Sequence, residues 1–327
     1  MLQTPMDVLS QFPVRKSKHQ KQAFRDAVCS YAKRLGYPVS VEEGSFGCCN
    51  VIFGNPEEAK YLLTAHYDTP AAMLLPNLIA PTNPTISILY QLLIAVLLVL
   101  PPFLISFFLS LGVLFAGGFW INSVHDTIVV FAMIIWYACF FLLCLFRVGM
   151  LYYGPANKNN ANDNTSGVVT LLEVAGSLQK NQRNKVCFVL FDLEEKGLLG
   201  SRSYRKAHRA TTDQQLVINL DCVGDGDCLR IFPSKKIRQG RRSISSFYRI
   251  CGYWGNKSLL IHEKGLGYYP SDHKHFPNAV AIVALRKSKL GPYLGKIHTC
   301  KDTVLDTTNV NILRAALISY ISCNAVN

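Results

Sequence analysis

The chain has 327 residues, 50% of them hydrophobic and only 17% charged, with a formal net charge of +13. Its 11 cysteines are scattered and contain no pair of Cys-x-x-Cys motifs, which argues against a disulfide framework or a zinc ribbon and for free thiols in a reducing compartment. The positive charge alone would suit nucleic acid, but no basic motif is interleaved with aromatics, so a membrane protein with a basic cytoplasmic part is the better expectation.

Met1–Gln20 carries Arg15, Lys16 and Lys18 with no apolar run behind them, so no signal peptide is expected. Residues Ser17–Tyr37 predict an amphipathic helix, with Phe24, Val28, Tyr31 and Leu35 on one stripe and Gly36 closing it. Cys49–Phe53 and Tyr61–Ala65 read as short strands, and the second runs into His66-Tyr67-Asp68-Thr69-Pro70. A metal-binding imidazole needs its second nitrogen held, commonly by a carboxylate, and a bend at Pro70 could bring Asp68 to His66. A surface histidine in a loop is the alternative.

Ile86–Phe115 and Thr127–Phe146 are almost wholly apolar, and no charge interrupts either run. Thirty helical residues span about 45 Å, more than the ~30 Å hydrocarbon core. Pro101-Pro102 is expected to kink or divide the first run. The loop Gly117–Asp126, with Trp120 near its start, joins them into a transmembrane hairpin over residues 86–149. A hairpin returns the chain to the side it left, so residues 1–85 and 150–327 form one discontinuous domain in one compartment. They carry the Lys and Arg, with Arg147 at the same edge, while the short loop carries none. By the positive-inside rule the large part is cytoplasmic.

Beyond the hairpin, Asn157–Gly167 is a loop of turn formers, and a helix follows from near Ser166. Asp163 in that loop could bridge two cations or merely cap the helix. Val186–Leu193 predicts a strand covered on both faces, delivering Glu194 and Glu195 at its carboxyl end, where sites in open α/β sheets are built. One glutamate could bind a metal while its neighbour accepts a proton from water, although a solvated acidic turn uses the same pair. A helix through Tyr204–Arg209 follows, then a strand Leu216–Leu220 ending at Asp221. Leu229–Phe232 is read as a strand at a sheet edge. Lys235, Lys236, Arg238, Arg241 and Arg242 form a solvated face or a contact for anionic lipid. Ser243–Gly252 is helical, Ala279–Leu285 is a strand, His298 lies in a loop with Asp302 close by, and Asn309–Ile321 is the last helix.

Six short pieces now stand in order: AHYD at 65–68, NDNTSG at 162–167, LFDLEEKGLLGS at 190–201, NLD at 219–221, SDH at 271–273 and HTCKD at 298–302. Together they resemble the co-catalytic di-zinc aminopeptidases, the family of bacterial secreted leucyl aminopeptidases and their relatives. The resemblance covers 15–85 and 150–327. It implies an α/β fold with a mixed, largely parallel central sheet flanked by helices, and a peptide substrate with a free N-terminus. It further implies that Asp163 bridges two zinc ions, with His66 and Asp221 completing the ligands of one and Glu195 and His298 those of the other. Cobalt or manganese suits the same donors. By the same resemblance, Glu194 is the general base and Asp68 orients His66. Asp272 and His273 match a family motif near the substrate pocket. The departure from the family is the membrane insert between Asp68 and Asp163. Two other activities remain open: a glutaminyl cyclase-like transferase using one zinc, and a membrane scaffold that keeps the fold without activity.

Overall fold

The computed structural model describes residues 2–118, 125–263 and 267–323. The chain divides into two compact units, Met1–Pro84 with Ala156–Asn327, and Thr85–Pro155.

The larger unit is built on nine strands: β1 (Val39–Glu43), β2 (Cys49–Phe53), β3 (Tyr61–His66), β4 (Val186–Phe191), β5 (Leu216–Leu220), β6 (Cys228–Pro233), β7 (Gly252–Trp254), β8 (Lys257–Ile261) and β9 (Ala279–Leu285). Their spatial order is β1-β2-β4-β3-β5-β9-β6-β8-β7. The central four, β4-β3-β5-β9, are mutually parallel, and antiparallel pairings flank them. Every residue of β3, β4 and β9 is buried, as continuous Val, Ile, Leu and Phe runs require when helices cover both faces. The mixed α/β fold class expected from the sequence is therefore the one observed. β6 lies between β9 and β8, so it is an interior strand rather than the edge strand expected of Leu229–Phe232. The difference lies in β7 and β8, whose short, polar-interrupted segments carry little periodicity.

Helix Lys18–Arg34 begins at Ser17, which forms a capping box with Gln20. It packs Phe24 and Val28 into the core, where Phe24 stacks on Tyr67 at 5.1 Å. Helices Gly167–Ser177 and Thr307–Cys323 contribute buried residues to the same core, including Leu171, Leu172, Leu313 and Leu317. Each buried side chain of this size contributes about 1.5–3 kcal/mol by leaving water. Tyr204 of helix Leu199–Ala207 belongs to a second apolar cluster with Phe191 and Phe276. The strand expected over Val186–Leu193 stops at Phe191. Asp192 leaves the ladder to meet Lys21 at 2.5 Å in a buried ion pair, and Leu193 turns left-handed (φ 55°). That turn frees Glu194 and Glu195 from the sheet.

The smaller unit is a pair of helices, Pro84–Gly118 and His125–Tyr153. The first runs through Pro101 and Pro102 without dividing. Proline 101 has no N–H to offer the carbonyl of Leu97 four residues back. The Arg147 guanidinium donates to that carbonyl instead, at 3.1 Å, tying the two helices together. Phe103 meets Trp136 and Phe140 edge-on across the pair. Most of the remaining large apolar side chains face outward, among them Leu89, Leu92, Phe108, Phe131, Phe141 and Phe146. Two helices are thus long and apolar enough to cross a bilayer, and little of their apolar surface is buried within the chain. The loop expected at Gly117–Asp126, with Trp120, lies largely outside the described residues.

Candidate metal centre

Because β3, β4 and β5 are parallel, their carboxyl ends open on the same edge of the sheet. β3 ends at His66, β4 leads through Leu193 to the glutamate pair, and β5 leads directly to Asp221. Asp163 reaches the same place from the Ala161–Ser166 turn, whose Asp163–Asn164 peptide is cis. His298 arrives from the loop after β9, at φ 64°.

Local hydrogen bonds explain why each carboxylate holds its position. Asn164 Oδ1 accepts from the N–H groups of Gly167 and Cys222, and its Nδ2 donates to the Leu220 carbonyl. Asn162 Oδ1 accepts from the N–H groups of Gly224 and Asp225. The asparagines on either side of Asp163 therefore fasten its loop to the chain that follows β5. Gly167 allows this closeness: a Cβ there would lie 2.4 Å from Asn164 Oδ1. Asp302 closes the other side, accepting from the N–H groups of Asn162 (2.8 Å) and Asp163 (3.0 Å). Asp163 thus does not cap the following helix, whose N-cap position is Ser166; Asn164 Oδ1 accepts the Gly167 N–H at its start.

The resulting arrangement is symmetrical about Asp163. Its Oδ1 lies 3.2 Å from His66 Nε2, which is 3.6 Å from Asp221 Oδ1. Its Oδ2 lies 3.1 Å from His298 Nε2, which is 3.4 Å from Glu195 Oε2. Each carboxylate oxygen of one residue thus faces its own imidazole–carboxylate pair. Asp68 stands behind His66, with Oδ1 3.5 Å from His66 Nδ1. Its two oxygens also accept the backbone N–H groups of Glu194 (3.0 Å) and Glu195 (3.2 Å). One carboxylate therefore stands beside the imidazole of β3 and holds the glutamate turn after β4 through both its oxygens.

Charge in this cluster is out of balance. Burial pushes the carboxyls of Glu194 and Glu195 well up; for Glu194 the neighbouring His66 opposes the rise, and Glu195, Asp272 and Asp221 add to it. His66 is held well above its ordinary value although burial works against it, because Glu194, Asp163, Asp221 and Asp68 surround it. Asp163 is held low despite its burial, by hydrogen bonds from His298 and His66. Burial raises Asp272 to about 7 and, with help from Asp163, Asp302 to about 7. Glu195 Oε1 is buried with no hydrogen-bond partner among the described residues, and both oxygens of Asp272 share that condition. Buried carboxyls in such excess over imidazoles are stabilised either by keeping their protons or by added positive charge, which a bound cation supplies. The His66, Asp163 and Glu195 donor atoms lie within 4.8 Å of one another, as do those of Asp163, Asp221 and Cys222. Hard carboxylate oxygens with imidazole nitrogens suit zinc, cobalt or manganese. The residues present fit divalent metal.

Peptidase family M28 matches residues 148–320. The chain belongs to Peptidase family M28. A search of curated proteins finds no match. Among solved structures, LapA of Legionella pneumophila aligns in one crystal structure over 99% of this chain and 73% of its own, at 12% identity and TM-score 0.56. A second, described as the LapA aminopeptidase, aligns over 97% and 69% at 12% identity and TM-score 0.53. Macrostomum lignano glutaminyl cyclase aligns over 98% and 89%, at 14% identity and TM-score 0.51. At these identities the likenesses show a shared fold.

All seven site residues expected from the sequence, His66, Asp68, Asp163, Glu194, Glu195, Asp221 and His298, meet at this edge. Asp272 and His273 lie in a buried 3-10 turn, and Asn219 of β5 donates to Ser271 just before it. The sequence pattern does not single out several members. Arg15 reads there only as a basic residue, yet it is fully buried and donates to the carbonyls of Tyr67 and Phe12 and to Thr165 Oγ1. It fixes the strand-end turn to the Asp163 loop from behind. Asn162, Asn164 and Cys222 had no role either. The turn-rich composition of 157–167 and the NDNTSG motif mark the asparagines in the sequence, but neither says which groups they bond.

Proposed function

We propose that the chain is a membrane-anchored, zinc-dependent aminopeptidase with a two-metal centre. The observation that carries this reading is the pair of imidazole–carboxylate sets meeting the two oxygens of Asp163. His66, Asp221 and Asp163 would hold one zinc, and His298, Glu195 and Asp163 the other. Zinc bound there supplies Lewis acidity, polarising a scissile carbonyl and making a water nucleophilic at neutral pH. Glu194, anchored through its N–H to Asp68 and buried in the site, takes the proton of the attacking water and delivers it to the departing amine. Asp68 keeps the His66 ring oriented. The acidic surroundings favour a substrate carrying a free, cationic α-amine, hence hydrolysis at an N-terminus. The hairpin of Pro84–Gly118 and His125–Tyr153 spans the bilayer, and the distribution of Lys and Arg supports a cytoplasmic larger unit. A protease-protection assay that finds the larger unit on the opposite side would reverse the orientation.

Metal content and hydrolysis of an aminoacyl reporter, measured in detergent for the native chain and Glu194→Gln, test the mechanism. Two equivalents of zinc in both proteins, with activity lost in the variant, is the expected result. One zinc with no hydrolysis would replace this reading by a glutaminyl cyclase, to be assayed on a glutaminyl peptide. A folded protein that takes up no metal would leave a scaffold.

A further inference from the structure

Three segments of the larger unit are stitched together beside the point where the hairpin begins. Residues 71–83 run from Thr69-Pro70 to the first membrane helix and contain no charged residue. Ile79 pairs with Leu294, the Met73 N–H donates to the His298 carbonyl at 2.7 Å, and Asn83 Nδ2 donates to the Leu290 carbonyl at 3.1 Å. The Tyr268 N–H donates to the Pro81 carbonyl at 3.0 Å. This patch exposes large apolar side chains: Leu74 is fully exposed, Leu290 is 69% exposed and Tyr268 is 61% exposed. It is also basic. The stretch 286–301 contains Arg286, Lys287, Lys289, Lys296 and Lys301 and no acidic residue. Arg286 and Lys296 are engaged by Asp225, while Lys287 and Lys289 are exposed. Lys274 caps the patch, its Nζ 4.3 Å above the Tyr268 ring.

We infer that this patch is a bilayer-docking surface, in which Leu74, Leu290 and Tyr268 enter the headgroup layer and Lys287, Lys289 and Lys274 meet anionic lipid. The inference rests on the hairpin spanning the membrane. Outward-facing apolar side chains on the first helix begin at Ile88, which is about 6 Å along the axis from Pro84. Lipid covering Ile88 therefore brings the headgroup layer, about 5–8 Å deep, to Asn83 and to the Leu290 loop bonded to it. Exposed leucines mixed with an aromatic ring and lysines are the composition that layer favours. Because Met73 bonds the His298 backbone, docking sets one wall of the metal centre at the membrane surface. The substrates best placed to reach it are N-termini of peptides or membrane proteins held near the bilayer.

The test uses the full chain in nanodiscs containing anionic lipid, with a fluorescent amino acid incorporated at position 74, 290 or 108 and spin-labelled lipid as quencher. Quenching at all three positions is the expected result, with the 74 and 290 signals weakening when phosphatidylserine is replaced by phosphatidylcholine. Lys287→Glu with Lys289→Glu should lower docking by about fivefold per lysine removed. Quenching at 108 without quenching at 74 and 290 would overturn the docking surface while leaving the hairpin in the membrane. Absence of quenching at 108 would overturn the membrane reading itself.

Discussion

Replacing Asp68 by asparagine removes one charge and almost no volume, yet it touches two functions. Asp68 accepts the N–H groups of Glu194 and Glu195, one on each oxygen, and faces His66 Nδ1. An amide has one accepting oxygen and one donating nitrogen. Whichever way it is turned, one of the two glutamate N–H groups meets another donor and loses its acceptor. An unsatisfied buried donor costs about 1–3 kcal/mol, which lowers the melting temperature of a unit of this size by roughly 2–10 °C. The uncharged amide also ceases to support the imidazole as a ligand, which should weaken metal binding about 10–100-fold. Zinc affinity measured by competition with a chromophoric chelator, alongside thermal unfolding of the metal-free protein, separates the two effects. Lower stability with unchanged zinc affinity would show that Asp68 ties down the glutamate turn but has no hold on His66. No change in either quantity would refute the whole account of this residue.

Further consequences follow from the same contacts. Asp272 and Asp302 have carboxyl pKa values raised from 3.8 to about 7, so their contribution to metal-free stability is fully present below pH 3.8 and is lost as pH rises through 7. The chelated protein should thus lose on the order of a few kcal/mol between pH 5 and 8, and saturating zinc should flatten the decline; a chelated protein whose melting temperature rises over that range contradicts this. Replacing residues 86–148 by a short linker should leave hydrolysis of small soluble substrates intact, and loss of all metal binding in that protein would show the hairpin to be part of the catalytic fold. Arg147→Leu should weaken the helix pair by about 1 kcal/mol, because the Leu97 carbonyl loses its donor. In a Pro101→Ala background the helix supplies its own donor to that carbonyl, so a double-mutant cycle in denaturant should show the Arg147 effect vanish. An undiminished effect there would place the value of Arg147 elsewhere.

The sequence shows which acids and histidines stand at strand ends, while the roles expected of them rest on the resemblance carried by the six short motifs. A buried apolar run that stops at acids, as at β4 and β5, or at a histidine, as at β3, suits a parallel strand with a group at its carboxyl end, and a solvated turn or surface loop uses the same residues. That the two apolar runs form long helices was legible for a related reason, the absence of any charge over about twenty residues in each. The fate of Pro101-Pro102 was not, since whether a proline divides a helix depends on what satisfies the freed carbonyl, and Arg147 stands 50 residues away. Segments β7 and β8 escaped detection because their pairing partners, rather than their own pattern, make them strands.

The residue types at the centre and their order along the chain are properties of the sequence. That His66 and Asp221 face one oxygen of Asp163 while His298 and Glu195 face the other is a property of the folded chain. It depends on three parallel strands ending at one edge, and on Asn162, Asn164 and Asp302 clamping the Asp163 loop against them. These are hydrogen bonds between residues tens to more than a hundred positions apart, and no local pattern encodes them. The same reason hid Arg15, whose fully buried guanidinium bonds groups from three separate segments. A short-range signal tells which side chains a strand delivers, but only closure of the whole sheet brings their charges within reach of one another.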